Sequence, residues 1–455
     1  MNKYDIQPTT SNLASSIKND VTGRNRNLYN LVRLLNFQED SWSIAINGKW
    51  GTGKTFFIKQ CQLILDNAFT CENEEIRQAI NVLCPNDKHD IRQTHFRTAY
   101  YDAWEHDSEE DPIASLIRCL TSTDWSMSVK ETLEKAINIG IKILNATTHV
   151  DLSDLYKTLN GKSEKSDTID ALRKQFNEVL AKLAPQEGKL IIFIDELDRC
   201  KPTYAVKLLE RIKHYFSNPN VTFIFAIDLG QLQYTINQYY GSQFNGYQYL
   251  DRFFDLVVSL PEPDIDKYFN NTQNILEAAQ HFNKLDPKNS NYYRFCKELI
   301  DHFSFSIRQI NHFYLKTNSA TYNLLDHILN PQGLASPPER HGKFIIYDFL
   351  LPLMCALSQA NINEYTKFIS GNASKETLSI LANSKEFTNF YKEMLSNKSD
   401  IDFFKGVSEI YNSIFDDQKS MYLRISDQCV IEYPSQYKKQ LIDASSLLSP
   451  EVKFN

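Results

Sequence analysis

Gly48-Lys49-Trp50-Gly51-Thr52-Gly53-Lys54-Thr55 follows the apolar run 42–46 and precedes Phe56-Phe57-Ile58. A strand, a glycine-rich loop and the opening of a helix stand there in the order a P-loop requires. The glycines let the chain curl so that successive backbone N–H groups point inward at phosphate oxygens. The helix N-terminus adds its partial positive charge behind them. Lys54 can then reach the β- and γ-phosphates, and the Thr55 hydroxyl can ligate Mg²⁺. With average residue usage the pattern arises by chance in about one chain in fifty of this length, and the flanking strand and helix lower the odds further. The stretch predicts an α/β nucleoside-triphosphate-binding core with residues 48–55 as its phosphate cradle.

Working outward, the partner of a P-loop is a carboxylate that holds the magnesium ion beside a base or water-positioner. Leu190-Ile191-Ile192-Phe193-Ile194-Asp195-Glu196 supplies both, as an apolar strand ending in two acids. Asp195 is the expected metal ligand and Glu196 the group that orients or deprotonates the attacking water. A buried strand with a solvated acidic end is the plainer reading, and the upstream P-loop weighs against it. The continuation Leu197-Asp198-Arg199-Cys200-Lys201-Pro202 is dense in charge. Asp198 and Arg199 either approach the γ-phosphate or cap the following helix, and the residues leave both open. The run 221–227 fits between the P-loop strand and the acidic strand, as in P-loop proteins with a catalytic glutamate and an additional strand. Asp228 at its end is the expected polar sensor, with a helix-capping aspartate as the alternative.

The rest of the chain frames this core. At 455 residues it exceeds one ordinary core, so two or three domains are expected. Only 14 glycines stand against 28 Phe and 24 Tyr, which favours helix-rich architecture over many tight β-turns. The net charge of −7 opposes a broad, non-specific nucleic-acid surface while leaving a local basic patch open. A nucleic-acid partner is therefore undecided. The eight cysteines include no CxxC pair, so neither a zinc site nor a disulfide framework is expected. Met1-Asn2-Lys3-Tyr4-Asp5 lacks the apolar core of a signal peptide. The longest apolar run, 344–357, contains Asp348 and Pro352 and is short for a bilayer span. A soluble, cytoplasmic protein without stable membrane insertion is the expectation.

Along the chain, residues 1–40 read as a helical lead-in. Thr22-Gly23-Arg24-Asn25 forms a turn, and Leu28, Leu31, Val32, Leu34 and Leu35 follow at helical spacing. Strand-like runs at 42–46, 95–101, 190–194, 221–227 and 256–260 alternate with helical patterns, the signature of a covered, mainly parallel sheet. Pro261-Glu262-Pro263 ends this core, giving 41–263 as the α/β region. It includes a helical insertion near 127–185, where 127–159 reads as a packed helix rather than a membrane-surface one. From 265 onward the pattern is helical, with no convincing strands. Asn330-Pro331-Gln332-Gly333 and Ser336-Pro337-Pro338 subdivide this half. The aromatic-rich stretch 387–422 is either a partner surface or a core. Trp50 and Trp104 read as core or loop packing.

Together these motifs resemble one family, the KAP P-loop NTPases. The resemblance rests on Asn47 to Thr55, with tryptophan inside the P-loop, and on Phe193-Ile194-Asp195-Glu196-Leu197-Asp198-Arg199-Cys200-Lys201-Pro202. Weaker support comes from Tyr101-Asp102-Ala103-Trp104-Glu105, Phe225-Ala226-Ile227-Asp228 and Tyr249-Leu250-Asp251-Arg252-Phe253-Phe254-Asp255. The likeness spans roughly residues 20–320.

It implies an additional-strand, catalytic-glutamate ATPase, distantly similar to AAA+ and STAND proteins, that uses ATP and Mg²⁺. No guanine-reading Asn-Lys-x-Asp motif is present. Many KAP proteins insert transmembrane helices between the two main motifs. The interval here is not apolar enough, so the chain resembles a soluble, bacterial-type member. Bacterial members look like components of defence against phage or other mobile elements. By the same resemblance 264–330 is a helical lid; 331–455 lies outside the likeness and is expected to be a helical region for a protein partner. Arg252 resembles the arginine finger that reaches a neighbour's γ-phosphate, which would make a homo-oligomer nucleotide-dependent. Pairing with Asp251 or Asp255 is the alternative. Arg308, in Phe305-Ser306-Ile307-Arg308-Gln309-Ile310-Asn311, resembles the lid's sensor arginine. The expected function is an ATP-driven switch, with an AAA+-like oligomeric remodeller or motor as the alternative. A protein that merely holds ATP is disfavoured by the complete set Lys54, Thr55, Asp195 and Glu196.

Overall fold

The computed structural model describes residues 7–85, 91, 94–109, 111–122, 177, 184–185, 188–215, 218–271, 290–328, 342–395, 401–416, 422–426, 429–432 and 436–446. The expected helix at 127–159 and the subdividing loop at 330–338 lie outside them. The chain forms two compact units, with the sheet in Gln7–Asn271 and the helical half in Thr272–Asn455.

The first unit opens with α1 (Thr10–Lys18) and α2 (Asn25–Phe37) and then enters β1 (Ser43–Asn47). After the P-loop come α3 (Lys54–Ala68), α4 (Glu74–Leu83), β2 (His95–Asp102) and α5 (Pro112–Ser122). β3 (Gly188–Asp195), a 3-10 turn at Leu197–Arg199, α6 (Pro202–Tyr215) and β4 (Val221–Ile227) follow. The unit closes with α7 (Leu229–Tyr240), α8 (Gly246–Leu250), β5 (Leu256–Ser259) and α9 (Ile265–Asn271).

The five strands pair in parallel in the order β2-β3-β4-β1-β5. β4 thus lies between the P-loop strand and the acidic strand, with Ile46 opposite Ala226 and Ile194 opposite Phe225. Because side chains alternate along a strand, each central strand feeds two cores. Ala45, Ile192, Ile194, Phe223 and Phe225 pack on one face with Leu116, Leu208 and Leu232. Ile44, Ile46, Ile191, Phe193 and Ile224 pack on the other with Leu28, Phe57, Ile58 and Ile80. Burying each such large side chain contributes about 1.5–3 kcal/mol. α2, the lead-in helix, is tied to the sheet because Lys189 Nζ donates to the carbonyls of Leu35 (2.8 Å) and Asn36 (3.0 Å).

The second unit contains α10 (Asn291–His302), α11 (Ile307–Ile328), a π-helical turn at Ile345–Leu350 and α12 (Leu351–Ala360). α13 (Ile362–Ile369), α14 (Lys375–Ala382), α15 (Lys385–Met394), α16 (Phe403–Phe415) and α17 (Gln436–Ser446) complete the helices. The unit is helical, but not wholly so. β6 (Tyr422–Ser426) and β7 (Cys429–Glu432) form an antiparallel hairpin. Runs this short, set among helical patterns, carry too few alternations to be read as strands.

Part of the aromatic stretch is core: Phe387, Tyr391, Tyr411 and Phe415 are buried, while Phe390, Phe403 and Phe404 are partly exposed. The stretch Gly342–Ala360 is long and apolar enough to cross a membrane by composition, more so than the run 344–357 suggests, yet 72% of it is buried in the protein.

Candidate functional site

The site forms where β1, β3 and β4 end on the same edge of the sheet, the edge where parallel α/β sheets open toward ligands. The P-loop leaves β1 at Asn47 and returns as α3 at Lys54. Gly51 (φ +79°) and Gly53 (φ +89°) take left-handed backbone that other residues adopt only at a cost. Gly53 is the N-cap of α3 and offers no side chain to the first N–H groups, which remain available to an anion. Lys54 folds over the loop, with Nζ donating to Gly48 O (2.7 Å) and Lys49 O (3.3 Å). Burial lowers the pKa of its ammonium, opposed by Asp198, Asp228, Glu196 and Asp195. Four carboxylates thus bear on the charge of one lysine.

Asp195 ends β3 with both carboxylate oxygens engaged. Oδ1 accepts from Glu196 N (2.9 Å), and Oδ2 from the Tyr100 hydroxyl (3.0 Å). Thr55, in the first turn of α3, also hydrogen-bonds to it. Burial raises the Asp195 pKa, and these bonds act against the rise. A hydroxyl and a carboxylate meeting beside a phosphate cradle are hard oxygen donors, the type that suits Mg²⁺. Among the described residues no cluster of three or more His, Cys, Asp or Glu could hold a metal. Thr55 and Asp195 alone would leave most of the coordination of such an ion to phosphate and water, as is common for Mg²⁺.

Glu196 adopts φ +58°, ψ 22°, a strained conformation for a residue with a side chain. Burial, then Asp195, pushes its pKa up to about 7, while Arg199 pulls the other way. Arg199 Nε lies 2.7 Å from Glu196 Oε2. Asp198, only 4% exposed, accepts at Oδ2 from Trp50 Nε1 (2.6 Å). Neither residue caps the following helix through these contacts. Trp50 and Trp104 are 45% and 52% exposed, so neither is a core residue.

Asp228 caps α7, its Oδ1 accepting from Gln231 N at 3.2 Å, while its charge reaches Lys54. Beside it, Asn47 Oδ1 accepts from Leu229 N (3.0 Å) and Gly48 N donates to Ile227 O (3.1 Å). These bonds stitch the P-loop to the end of β4. Arg252 follows α8 and is exposed. Asp255 Oδ2 accepts from Ser43 N (2.8 Å), and among the described residues the Arg252 guanidinium makes no ion pair. Arg308 belongs to the other unit, exposed in the first turn of α11.

Two contributors escape a reading of motifs. Arg24 is buried, donating from Nη1 to Thr52 O (2.7 Å) and from Nε to Pro261 O (2.9 Å). It props the P-loop from beneath, and burial lowers its pKa to about 10. Its signal was the Gly23-Arg24 turn: Gly23 has φ +69°, and a Cβ there would stand 2.6 Å from Asp264 Cβ. Tyr100 holds Asp195 and carries Lys59 Nζ 3.1 Å above its ring centroid. Its alternation along β2 was its only sequence clue.

A family model described as the KAP family P-loop domain matches residues 24–324. No curated protein matches the chain. Among solved structures, the chain is similar to the Aeropyrum pernix ORC2 protein, solved as ADPNP–ADP complexes. Identity is 10% and the TM-score 0.34, over 93% of this chain and 94% of that one.

Proposed function

The chain belongs to the KAP family of P-loop NTPases, and on that premise we propose that it binds and hydrolyses Mg-ATP as a nucleotide-dependent switch. The observation that carries the reading is the convergence of Lys54, Thr55, Asp195 and Glu196 on one rim of the sheet. Lys54 and the backbone N–H groups of the P-loop after Gly48 bind the phosphates. Thr55 and Asp195 hold Mg²⁺, which when bound neutralises charge on the phosphoryl oxygens. Glu196 orients the attacking water and takes its proton. Asp228 acts as the polar sensor at the end of β4, and Arg308 as the lid's sensor.

The second reading, an oligomeric remodeller or motor, draws on Arg252, which is exposed and makes no ion pair among the described residues. A guanidinium in that state suits a neighbour's γ-phosphate. A role in defence against mobile elements rests on the family resemblance alone. A partner surface on the second unit would have to use residues other than the buried Phe387, Tyr391, Tyr411 and Phe415.

Steady-state ATP hydrolysis across a range of protein concentrations, with Glu196→Gln as control, tests these readings. Slow turnover that is flat with concentration and lost in Glu196→Gln supports the switch. Specific activity that rises with concentration and falls in Arg252→Ala supports the oligomer. Equal activity in wild type and Glu196→Gln removes the mechanism.

A further inference from the structure

Arg199 joins three segments that are far apart in sequence. Its Nε lies 2.7 Å from Glu196 Oε2. Its guanidinium carbon lies 5.6 Å from the ring centroids of both Trp50 and Trp104, within reach of a cation–π attraction. Trp50 belongs to the P-loop itself, between Lys49 and Gly51. Its indole is anchored a second time through Nε1–H to Asp198 Oδ2 (2.6 Å), and Asp198 Oδ1 is buried with no partner among the described residues. Trp104 is held from the other side. Asp102 Oδ1 accepts from Trp104 N (3.0 Å) and Glu105 N (3.2 Å), and Ala103 N donates to Asp195 O (3.0 Å), fixing that turn to the end of β3. Two half-exposed indoles on one guanidinium are not explained by core packing, since burial does not hold them there.

We propose that Arg199 is a positioning residue: it holds the Glu196 carboxylate for the attacking water, and Trp50 and Trp104 hold Arg199. The shape of the P-loop is thereby transmitted to Glu196. A free glutamate samples several rotamers, and misplacement of a reacting group by about 1 Å can cost a hundredfold in rate. A guanidinium suits the task because its planar fork pairs with a carboxylate while its face stacks on aromatic rings, whereas an ammonium is a point charge. Phosphates gathered by the N–H groups that follow Gly48 enter the loop that carries Trp50, so nucleotide binding changes the surroundings of that indole. The inference rests on the hydrolase reading above.

The test uses the full chain with Mg-ATP. Arg199→Ala is expected to lower kcat about tenfold to a hundredfold, with KM and the affinity for a non-hydrolysable ATP analogue within about twofold of wild type. Arg199→Lys should recover only part of the loss, and Trp50→Ala should also lower kcat. Because Arg199 acts through Glu196, the double variant Arg199→Ala/Glu196→Gln should be no slower than Glu196→Gln alone. Tryptophan emission supplies a readout independent of turnover. Addition of the analogue should change it, Trp50→Phe should remove most of that change, and Arg199→Ala should alter its size.

Arg199→Ala with wild-type or raised kcat overturns the proposal. So does a double variant slower than Glu196→Gln, or a Trp50 emission indifferent to nucleotide. A wild type that binds ATP without turning it over overturns the hydrolase reading instead. The emission arm, which needs binding only, then decides whether Arg199 is coupled to the P-loop.

Discussion

At the rim where β1 and β3 end, Glu196 holds a left-handed backbone, Asp198 keeps a buried oxygen unpartnered among the described residues, and Lys54 lies over loop carbonyls. The second unit is built in the opposite manner. α10, α13, α14, α15 and α16 begin on Ser290, Asn361, Ser374, Ser384 and Asp402, each accepting from the backbone of its own first turn. Their inner faces close on aromatic rings such as Phe349, which packs 5.2 Å from both Phe295 and Phe387. Asp348 departs from that pattern, since it is buried with Oδ1 unpartnered among the described residues, and burial pushes its pKa well up. The contrast teaches where strain and unmet polar groups persist. At the rim they crowd beside the candidate ligand site, whereas in the second unit they are scattered, at Ser304 (φ +50°) and Asp348, and each costs stability.

The two largest expected effects fall on opposite sides of the contrast. Lys54→Ala should weaken ATP binding at least about a hundredfold, the worth of a charge-assisted phosphate contact. It should barely move the melting temperature, because the lysine is itself held against a burial penalty. Calorimetric titration and a thermal melt of the same sample check both halves, and a strongly destabilised variant would break the contrast. Phe349→Ala should do the reverse, lowering the unfolding free energy by about 3–5 kcal/mol in a denaturant titration.

The two smallest effects carry opposite signs. Glu196→Gly should relieve the left-handed backbone and raise stability by up to about 1 kcal/mol while abolishing turnover. Asp402→Ala should remove a cap that accepts from Lys405 N (2.9 Å) and cost about 1 kcal/mol. Equal signs in chemical denaturation would mean that strain is not concentrated at the rim.

Much of the sheet could be read in advance because its information is local. Phe193 and Ile194 sit in an unbroken apolar run bounded by two acids, and such a run has few other folds available. The place of β4 followed from pairing the P-loop with the Asp195-Glu196 strand end. What escaped depends on meetings between distant residues. Tyr100 reaches Asp195 across 95 positions, and Trp50 reaches Asp198 across 148. Periodicity tells which face a side chain takes and is silent about its neighbour. Arg24 was hidden for the same reason, whereas the hairpin at Tyr422–Ser426 and Cys429–Glu432 escaped for a local one, its runs being too short to show alternation.

The bonds of Arg24 bear on how the first unit assembles. They span 28 positions to Thr52 and 237 to Pro261, almost the whole of Gln7–Asn271. Contacts of such separation close late, after the loops between them have lost their freedom. The phosphate-binding loop therefore gains its final support only when the turn before α2 and the segment after β5 have met. A fragment bearing every recognised motif from 41 to 260 would still lack both ends of that brace. Competence to bind nucleotide is thus expected to need the segments at both ends of the unit and not the motifs alone.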